Sequence, residues 1–226
     1  MKLLIDDARI DKIKHICEYF SVDGVTTNPS ILAKGGRYPY EVLKEIRAFI
    51  GDDAELHVQV ISRDAENMVA EGRKITAQLG KNTYIKIPTI PEGLKAMKIL
   101  SAAGYRITAT TIYTPMQAYF AAKAGADYAA PYVNRIDDLG SDGIQATKKM
   151  HDIFKINGFK TQILAASFKN SLQIQELCEH GVGACTAAPE VIEGLIRNAG
   201  VSSALDVFIH DFETLCGADK TMLDCK

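Results

Sequence analysis

The chain has 226 residues, 47% of them hydrophobic and 24% charged, with 26 Lys plus Arg against 28 Asp plus Glu. This is enough apolar material for one large core, and a formal net charge of −2 offers no bulk attraction for nucleic acid or an anionic membrane. Any anion must be bound by a local site. The cysteines Cys17, Cys178, Cys185, Cys216 and Cys225 are odd in number and scattered, which argues against a disulfide framework or a zinc pattern and for reduced thiols in a cytoplasmic protein. No window of about 18 apolar residues is present, so no membrane span is expected. No basic segment followed by an apolar run marks a signal peptide at the start.

Short apolar or β-branched runs alternate with amphipathic stretches of helical length. The strand candidates are Leu3–Asp7, Gly24–Asn28, Glu55–Val60, Thr83–Pro88, Arg106–Tyr113, Tyr128–Val133, Thr161–Ser167 and Ala184–Ala188. Helical patterning fills Ala65–Leu79, Glu92–Ala103, Pro115–Ala124, Asp142–Ile156 and Ser171–His180. Alternation of this kind predicts βαβ units and a parallel sheet. Eight strands spaced roughly 20–35 residues apart fit an α/β fold closed as a (β/α)8 barrel. The alternative, a doubly wound open sheet, usually carries a glycine-rich first turn. Here that turn is Asp6-Asp7-Ala8-Arg9, without glycine. One more amphipathic helix is expected at Ser202–Cys216, followed by a loosely ordered tail, Gly217–Lys226. With no linker or low-complexity tract, residues 1–226 read as a single domain.

Polar residues recur at the strand ends: Asp6, Asn28, Gln59, Lys86, Thr110, Tyr132 and Ser167. Both faces of a barrel strand are buried, and a polar side chain on the inner face is costly unless paired or used. Each taken singly has a plain structural explanation: an Asn or Thr after a strand caps a turn, and a Gln on a strand is a satisfied core amide. Together they converge on the mouth where barrel active sites sit. Lys86 is flanked by Tyr84, Ile85, Ile87 and Pro88. Desolvation there disfavours its charged form, and a neutral amine attacks a carbonyl to give an imine. The competing explanation is a lysine that snorkels from a strand end. A tyrosine hydroxyl acting through a water held by Gln59 and Thr110 would move the protons that imine chemistry needs. Asp6 and Asn28 are placed to hold donor hydroxyls. Ser167, Arg135 and Lys169 are candidates for an anionic tail, helped by the helix beginning near Asn170. For Arg135 a salt bridge with Asp137 or Asp138 is equally open.

At these residues the chain resembles the small transaldolase and fructose-6-phosphate aldolase family. The resemblance is carried by Gly24-Val25-Thr26-Thr27-Asn28-Pro29-Ser30, Ile85-Lys86-Ile87-Pro88, Ala130-Pro131-Tyr132-Val133-Asn134-Arg135-Ile136-Asp137 and Leu164-Ala165-Ala166-Ser167-Phe168-Lys169, and it runs from Leu4 to about Phe212. It implies a TIM-barrel class I aldolase with its Schiff-base lysine on the fourth strand. It also implies Thr26 and Asn134 among the substrate-binding residues, no metal or organic cofactor, a sugar phosphate substrate, and a homo-oligomer built on pentamers or decamers. In these oligomers the C-terminal helix reaches a neighbouring subunit. Transaldolases of the family typically carry Glu, Phe and Arg where this chain has Gln59, Tyr132 and Lys169, so the resemblance leans to the aldolase subgroup, with transaldolase as the alternative. Asp7, His57, the loop Lys34-Gly35-Gly36-Arg37 and the strand Ala184-Cys185-Thr186-Ala187-Ala188-Pro189 depart from the usual pattern. The acceptor aldehyde therefore need not be glyceraldehyde 3-phosphate, and a sulfonated three-carbon aldehyde would need a similar anion pocket. Rival classes are a non-catalytic sugar-phosphate-binding barrel and a metal-dependent aldolase. Against the latter, His15, His57, His151, His180 and His210 form no ligand pattern in the sequence.

Overall fold

A computed structural model describes residues 1–225. Eight parallel strands close into a barrel in sequence order, with the last pairing to the first. They are β1 (Lys2–Asp6), β2 (Gly24–Thr26), β3 (Glu55–Gln59), β4 (Thr83–Pro88), β5 (Arg106–Ile112), β6 (Tyr128–Pro131), β7 (Gln162–Ala165) and β8 (Ala184–Ala187). Closure excludes the open-sheet alternative. The intervening helices are α1 (Ile10–Tyr19), α2 (Pro29–Lys34), α3 (Pro39–Ile50), α4 (Ala65–Leu79), α5 (Pro91–Ala102), α6 (Pro115–Lys123), α7 (Val133–Asp138), α8 (Gly143–Ile156), α9 (Ser171–Glu179) and α10 (Pro189–Gly194).

The five helices expected from periodicity match to within one residue at each end. Except for β4, which ends at Pro88 as expected, the strands stop one or more residues earlier than expected, and after β2 a helix cap takes over. Asn28 turns from strand to helix, and its Oδ1 accepts the Ile31 N–H at 3.0 Å. Pro29 follows it at the first helical position, where a missing N–H costs nothing.

Side chains alternate between two buried layers. The outer row, including Ile5, Val25, Leu56, Ile85, Ile87 and Ile107, is fully buried against the helices. Burying each such side chain contributes about 1.5–3 kcal/mol, so Ile85→Ala should cost about 2–5 kcal/mol. Close helix approach behind β4 needs glycine: a Cβ on Gly93 would lie 1.9 Å from the Pro88 carbonyl oxygen. The inner row includes a packed cluster of Leu4, Tyr84, Tyr128, Ala130, Leu164 and Ala184.

The residues Met1–Ile192 form one compact unit, and those from Glu193 onward form another. The second holds α11 (Ala199–Cys216), which starts three residues before the expected helix because Asn198 caps it through the Gly200 N–H at 2.8 Å. In the tail, Thr221 caps a single 3-10 turn, Met222–Asp224; Lys226 lies outside the described residues. All five cysteines are free thiols. Among the described residues, no helix is long and apolar enough to cross a membrane.

Candidate active site

Register places the inner row. Gln59 stands opposite Lys86, and Lys86 opposite Thr108. Asp6 stands opposite Thr26. By the same alternation Asn28, Thr110, Tyr132 and Thr186 continue the inward rows of their strands. The predicted residues on β1 through β6 therefore share one face and one end of the barrel.

Lys86 is 6% exposed. Its Nζ donates to the Thr27 carbonyl oxygen at 2.9 Å. Desolvation lowers its pKa from the usual lysine value, partly opposed by the charge of Asp6. The carboxylate of Asp6 accepts from Thr26 Oγ1 at 2.6 Å. Thr26 Oγ1 also lies 2.7 Å from Thr186 Oγ1. Since the Thr26 proton points to the carboxylate, the Thr186 hydroxyl donates to Thr26, and a three-member chain orients Asp6 from below.

On the other side of Lys86, Thr110 Oγ1 and Tyr132 Oη are 2.9 Å apart. The Arg135 guanidinium lies 4.6 Å from the Tyr132 ring centroid, a cation–π distance. The open alternative for Arg135 thus resolves away from Asp137 and Asp138. Asp137 accepts from the Gly143 N–H and from Gln173 Nε2, and Asp138 accepts from Asn134 Nδ2 at 2.8 Å.

Other expected residues are differently occupied. Lys169 Nζ reaches Asp138 at 3.4 Å from a largely exposed position, and Asn28 uses its Oδ1 as a helix cap. Ser167 has left the strand: β7 ends at Ala165, Ala166 bridges to Tyr132, and Ser167 has φ +65°. A second non-glycine residue in the left-handed region, Thr111 at φ +57°, sits beside Thr110. Such conformations cost on the order of 1–3 kcal/mol and persist where surrounding structure enforces them. Gln59 is half-buried. It borders the mouth and also an apolar cleft of about 510 Å³ lined by Leu32, Tyr40 and Ile61.

Some contributors were not singled out from the sequence. Thr186 was readable in principle, since Ala184-Cys185-Thr186 alternates and sets a hydroxyl inward. The Thr27 carbonyl was not, because a backbone acceptor leaves no mark in side-chain identity.

His57 lies deeper in the barrel than the mouth and is fully buried. Its ring stacks on Tyr84 at 4.5 Å. Its Nε2 lies 3.2 Å from Glu55 Oε2 and its Nδ1 2.8 Å from Thr108 Oγ1. Burial lowers its pKa to about 4 despite the Glu55 carboxylate, so near neutrality it is an uncharged ring with its Nε2–H on Glu55. Among the described residues, no group of three or more His, Cys, Asp or Glu side chains is arranged to hold a metal.

A closed barrel with a desolvated lysine amine at its mouth, a carboxylate on one side and a hydroxyl pair on the other defines an enzyme site of the aldolase kind. Comparison with known proteins places it more narrowly. Residues 3–224 match the family described as Transaldolase/Fructose-6-phosphate aldolase, and the chain belongs to that family. A probable transaldolase of Hydrogenobaculum sp. is 39% identical over 213 residues, covering 94% of this chain and 97% of its own length. Probable transaldolases of Clostridium botulinum and Aquifex aeolicus are 39% and 38% identical, over 97% and 94% of this chain and 100% and 97% of their own lengths.

Proposed function

We propose that Lys86 forms a Schiff base with a ketose phosphate, and that the principal reaction is reversible cleavage of fructose 6-phosphate to dihydroxyacetone and glyceraldehyde 3-phosphate. The neutral amine adds to the C2 carbonyl, and the carbinolamine loses water to give an iminium ion. Removal of the C4 hydroxyl proton breaks the C3–C4 bond. Its electron pair passes into the iminium as an enamine, and the aldehyde leaves. Protonation of the enamine carbon and hydrolysis return Lys86. The iminium is the electron sink, so the chemistry calls for no metal or organic cofactor.

In this reading Tyr132, with Thr110 and a water held by Gln59, carries the protons. Asp6, Thr26, Asn28 and Asn134 hold the donor hydroxyls. Arg135, with Ser167 and Lys169, takes the anionic tail, whether phosphate or the sulfonate of an alternative aldehyde. The observation that carries the preference is the Thr110–Tyr132 hydroxyl pair at 2.9 Å, which offers the retained enamine a proton and so favours release. The second reading, transfer of the dihydroxyacetone unit between sugar phosphates, is favoured by the names of the relatives. The reading includes a cytoplasmic setting and a homo-oligomer, the latter supported by apolar side chains along α11 such as Leu205, Phe208 and Ile209, each more than half exposed.

Borohydride reduction in the presence of dihydroxyacetone or fructose 6-phosphate should add mass at Lys86, and absence of the adduct would sink the Schiff-base assignment and leave a non-catalytic binding barrel. With fructose 6-phosphate alone, free dihydroxyacetone should accumulate. Fast formation of sedoheptulose 7-phosphate on adding erythrose 4-phosphate, with negligible cleavage, would establish transfer instead. Tyr132→Phe should reduce cleavage more than transfer; equal losses would remove Tyr132 from the releasing step.

A further inference from the structure

The strand that carries Thr110 is irregular at that residue. Thr108 pairs with Tyr128 and Ala109 with Ala129, but the next pair is Ile112 with Pro131. β5 thus sets Thr110 and Thr111 against the single residue Ala130, a bulge with Thr111 in the left-handed region at φ +57°. A β-branched residue rarely adopts that conformation. It is held by a knot of hydrogen bonds on one carbonyl. The Thr110 oxygen accepts from the Thr89 N–H at 3.0 Å, from Thr89 Oγ1 at 3.0 Å and from Thr111 Oγ1 at 2.6 Å.

The extra residue inverts the strand's alternation. In an unbroken strand Ile112 would follow Thr110 inward, and Tyr113 would face the helix layer. Instead Ile112 is fully buried and the Tyr113 ring meets that of Tyr132, with centroids 5.7 Å apart and planes at 87°. The chain is pinned on the far side as well. The Tyr113 N–H donates to Gln117 Oε1 at 2.8 Å, and Gln117 closes the Thr114 capping box of α6. Tyr113 therefore stands between two fixed points. A phenol held only by its hydroxyl can swing about that bond. Tyr132 is held by Thr110 at its hydroxyl, by Arg135 over its ring and by Tyr113 set perpendicular to it, the edge-to-face arrangement aromatic rings prefer.

We propose that Tyr113, delivered to the barrel mouth by the bulge at Thr110–Thr111, is a positioning residue for Tyr132. The inference rests on the reading of Tyr132 as the hydroxyl that carries protons for the Lys86 imine. Tyr113 fixes the orientation of that hydroxyl; it takes no proton itself. A misplaced proton carrier slows the proton-transfer steps and hence turnover, but it does not remove the amine, so imine that has equilibrated with ketose is still trapped at Lys86.

The test compares kcat, KM and the borohydride adduct at Lys86 in single and double variants. Tyr113→Ala should lower kcat about 10-fold while KM changes less than about threefold and the final extent of adduct after long incubation stays near that of the unaltered protein. Tyr113→Phe, which keeps the ring and removes only the hydroxyl, should restore kcat to within about twofold of the unaltered protein. In a Tyr132→Phe background, Tyr113→Ala should add little further loss, because its effect acts through the missing hydroxyl. Should Tyr113→Ala fail to fold, Tyr113→Leu serves in its place: it fills the volume without a planar ring and should show the same kcat loss. An additive loss in the double variant, a Phe variant as impaired as Ala, or full kcat in Tyr113→Ala or its Leu substitute would each overturn the proposal. Absence of the adduct in the unaltered protein would instead overturn the reading of the site, so the two failures are distinguishable.

Discussion

The same inward rows of the barrel end in two different ways. Towards the floor, Glu55 is ion-paired with Lys2 and accepts from Tyr128 Oη at 3.1 Å, Tyr84 Oη at 3.4 Å and His57 Nε2 at 3.2 Å. Tyr84 Oη in turn accepts from Arg106 at 2.6 Å, and both ring nitrogens of His57 are engaged. Burial alone would raise the Glu55 carboxyl, but the His57 and Lys2 hydrogen bonds outweigh it and hold the carboxyl lowered, at about 2. Towards the mouth, two residues further along the same strands, Lys86 makes one hydrogen bond, to a backbone oxygen. Both ends bury charge-bearing groups on the inner face. They differ in saturation: floor groups answer one another, whereas the mouth leaves an amine and a hydroxyl pair with capacity to spare. Burial of a polar group thus does not separate the two ends; unfilled bonding capacity does.

The contrast is broken most sharply by substituting one residue at each end. Lys86→Met should abolish the borohydride adduct and reduce turnover by at least about 10⁴-fold, since the amine that forms the imine is removed. Replacing a desolvated amine by an apolar side chain of similar shape should not weaken the fold, and a rise in Tm of about 2–4 °C is expected. A clear fall in Tm would mean that Lys86 is a structural group like those on the floor. Glu55→Leu should do the reverse. It leaves Lys2, His57 and two phenols without their common acceptor, and stability should drop by about 3–5 kcal/mol, read as a shift in the urea midpoint. The surviving folded protein should still form the Lys86 adduct. A loss under about 1 kcal/mol would show that the floor network is dispensable.

How far each end could be read from the sequence follows from the range of the forces involved. The mouth residues Asp6, Asn28, Gln59, Lys86, Thr110 and Tyr132 were legible because strand alternation is local: a polar residue two positions after an inward one is itself inward. Barrel closure was legible from eight regular repeats. Ser167 was placed on the row in error of geometry, since only the structure reveals the left-handed turn that removes it from β7. The bulge at Thr111, and with it the inward turn of Tyr113, depends on pairing between β5 and β6 and leaves no pattern in either strand. In the Lys2–Glu55–His57 network, Lys2 and Tyr128 reach Glu55 from other strands, so in the sequence His57 stood only as a departure from the usual pattern. Asp138 engages both Asn134 and Lys169 through the folding of α7 and the β7–α9 loop, which spacing alone does not predict.

The two ends also separate by pH. His57 is buried uncharged, its pKa lowered from the ordinary 6.5 to about 4. Between those values the unfolded chain binds the proton and the folded chain does not, so stability must fall as pH drops from about 6.5 towards 4. The size is on the order of 3 kcal/mol. Glu55 contributes in a lower window. Its folded pKa is depressed, so its contribution is complete above the unfolded carboxylate value near 4.3 and is lost as pH falls towards about 2. Lys86 acts on the alkaline side. Its lowered pKa makes folding more favourable as pH rises towards the unfolded amine value near 10.4, and the same deprotonation frees the amine for imine formation. Urea midpoints measured from pH 7 to 4 should therefore decline in the unaltered protein and flatten in His57→Phe, which keeps a planar ring against Tyr84 but has no proton to gain. An undiminished slope in His57→Phe would show that acid weakens the protein elsewhere. The rate of adduct formation at Lys86 should rise with pH in both proteins, because the titrating group at the mouth is the amine and not the imidazole beneath it.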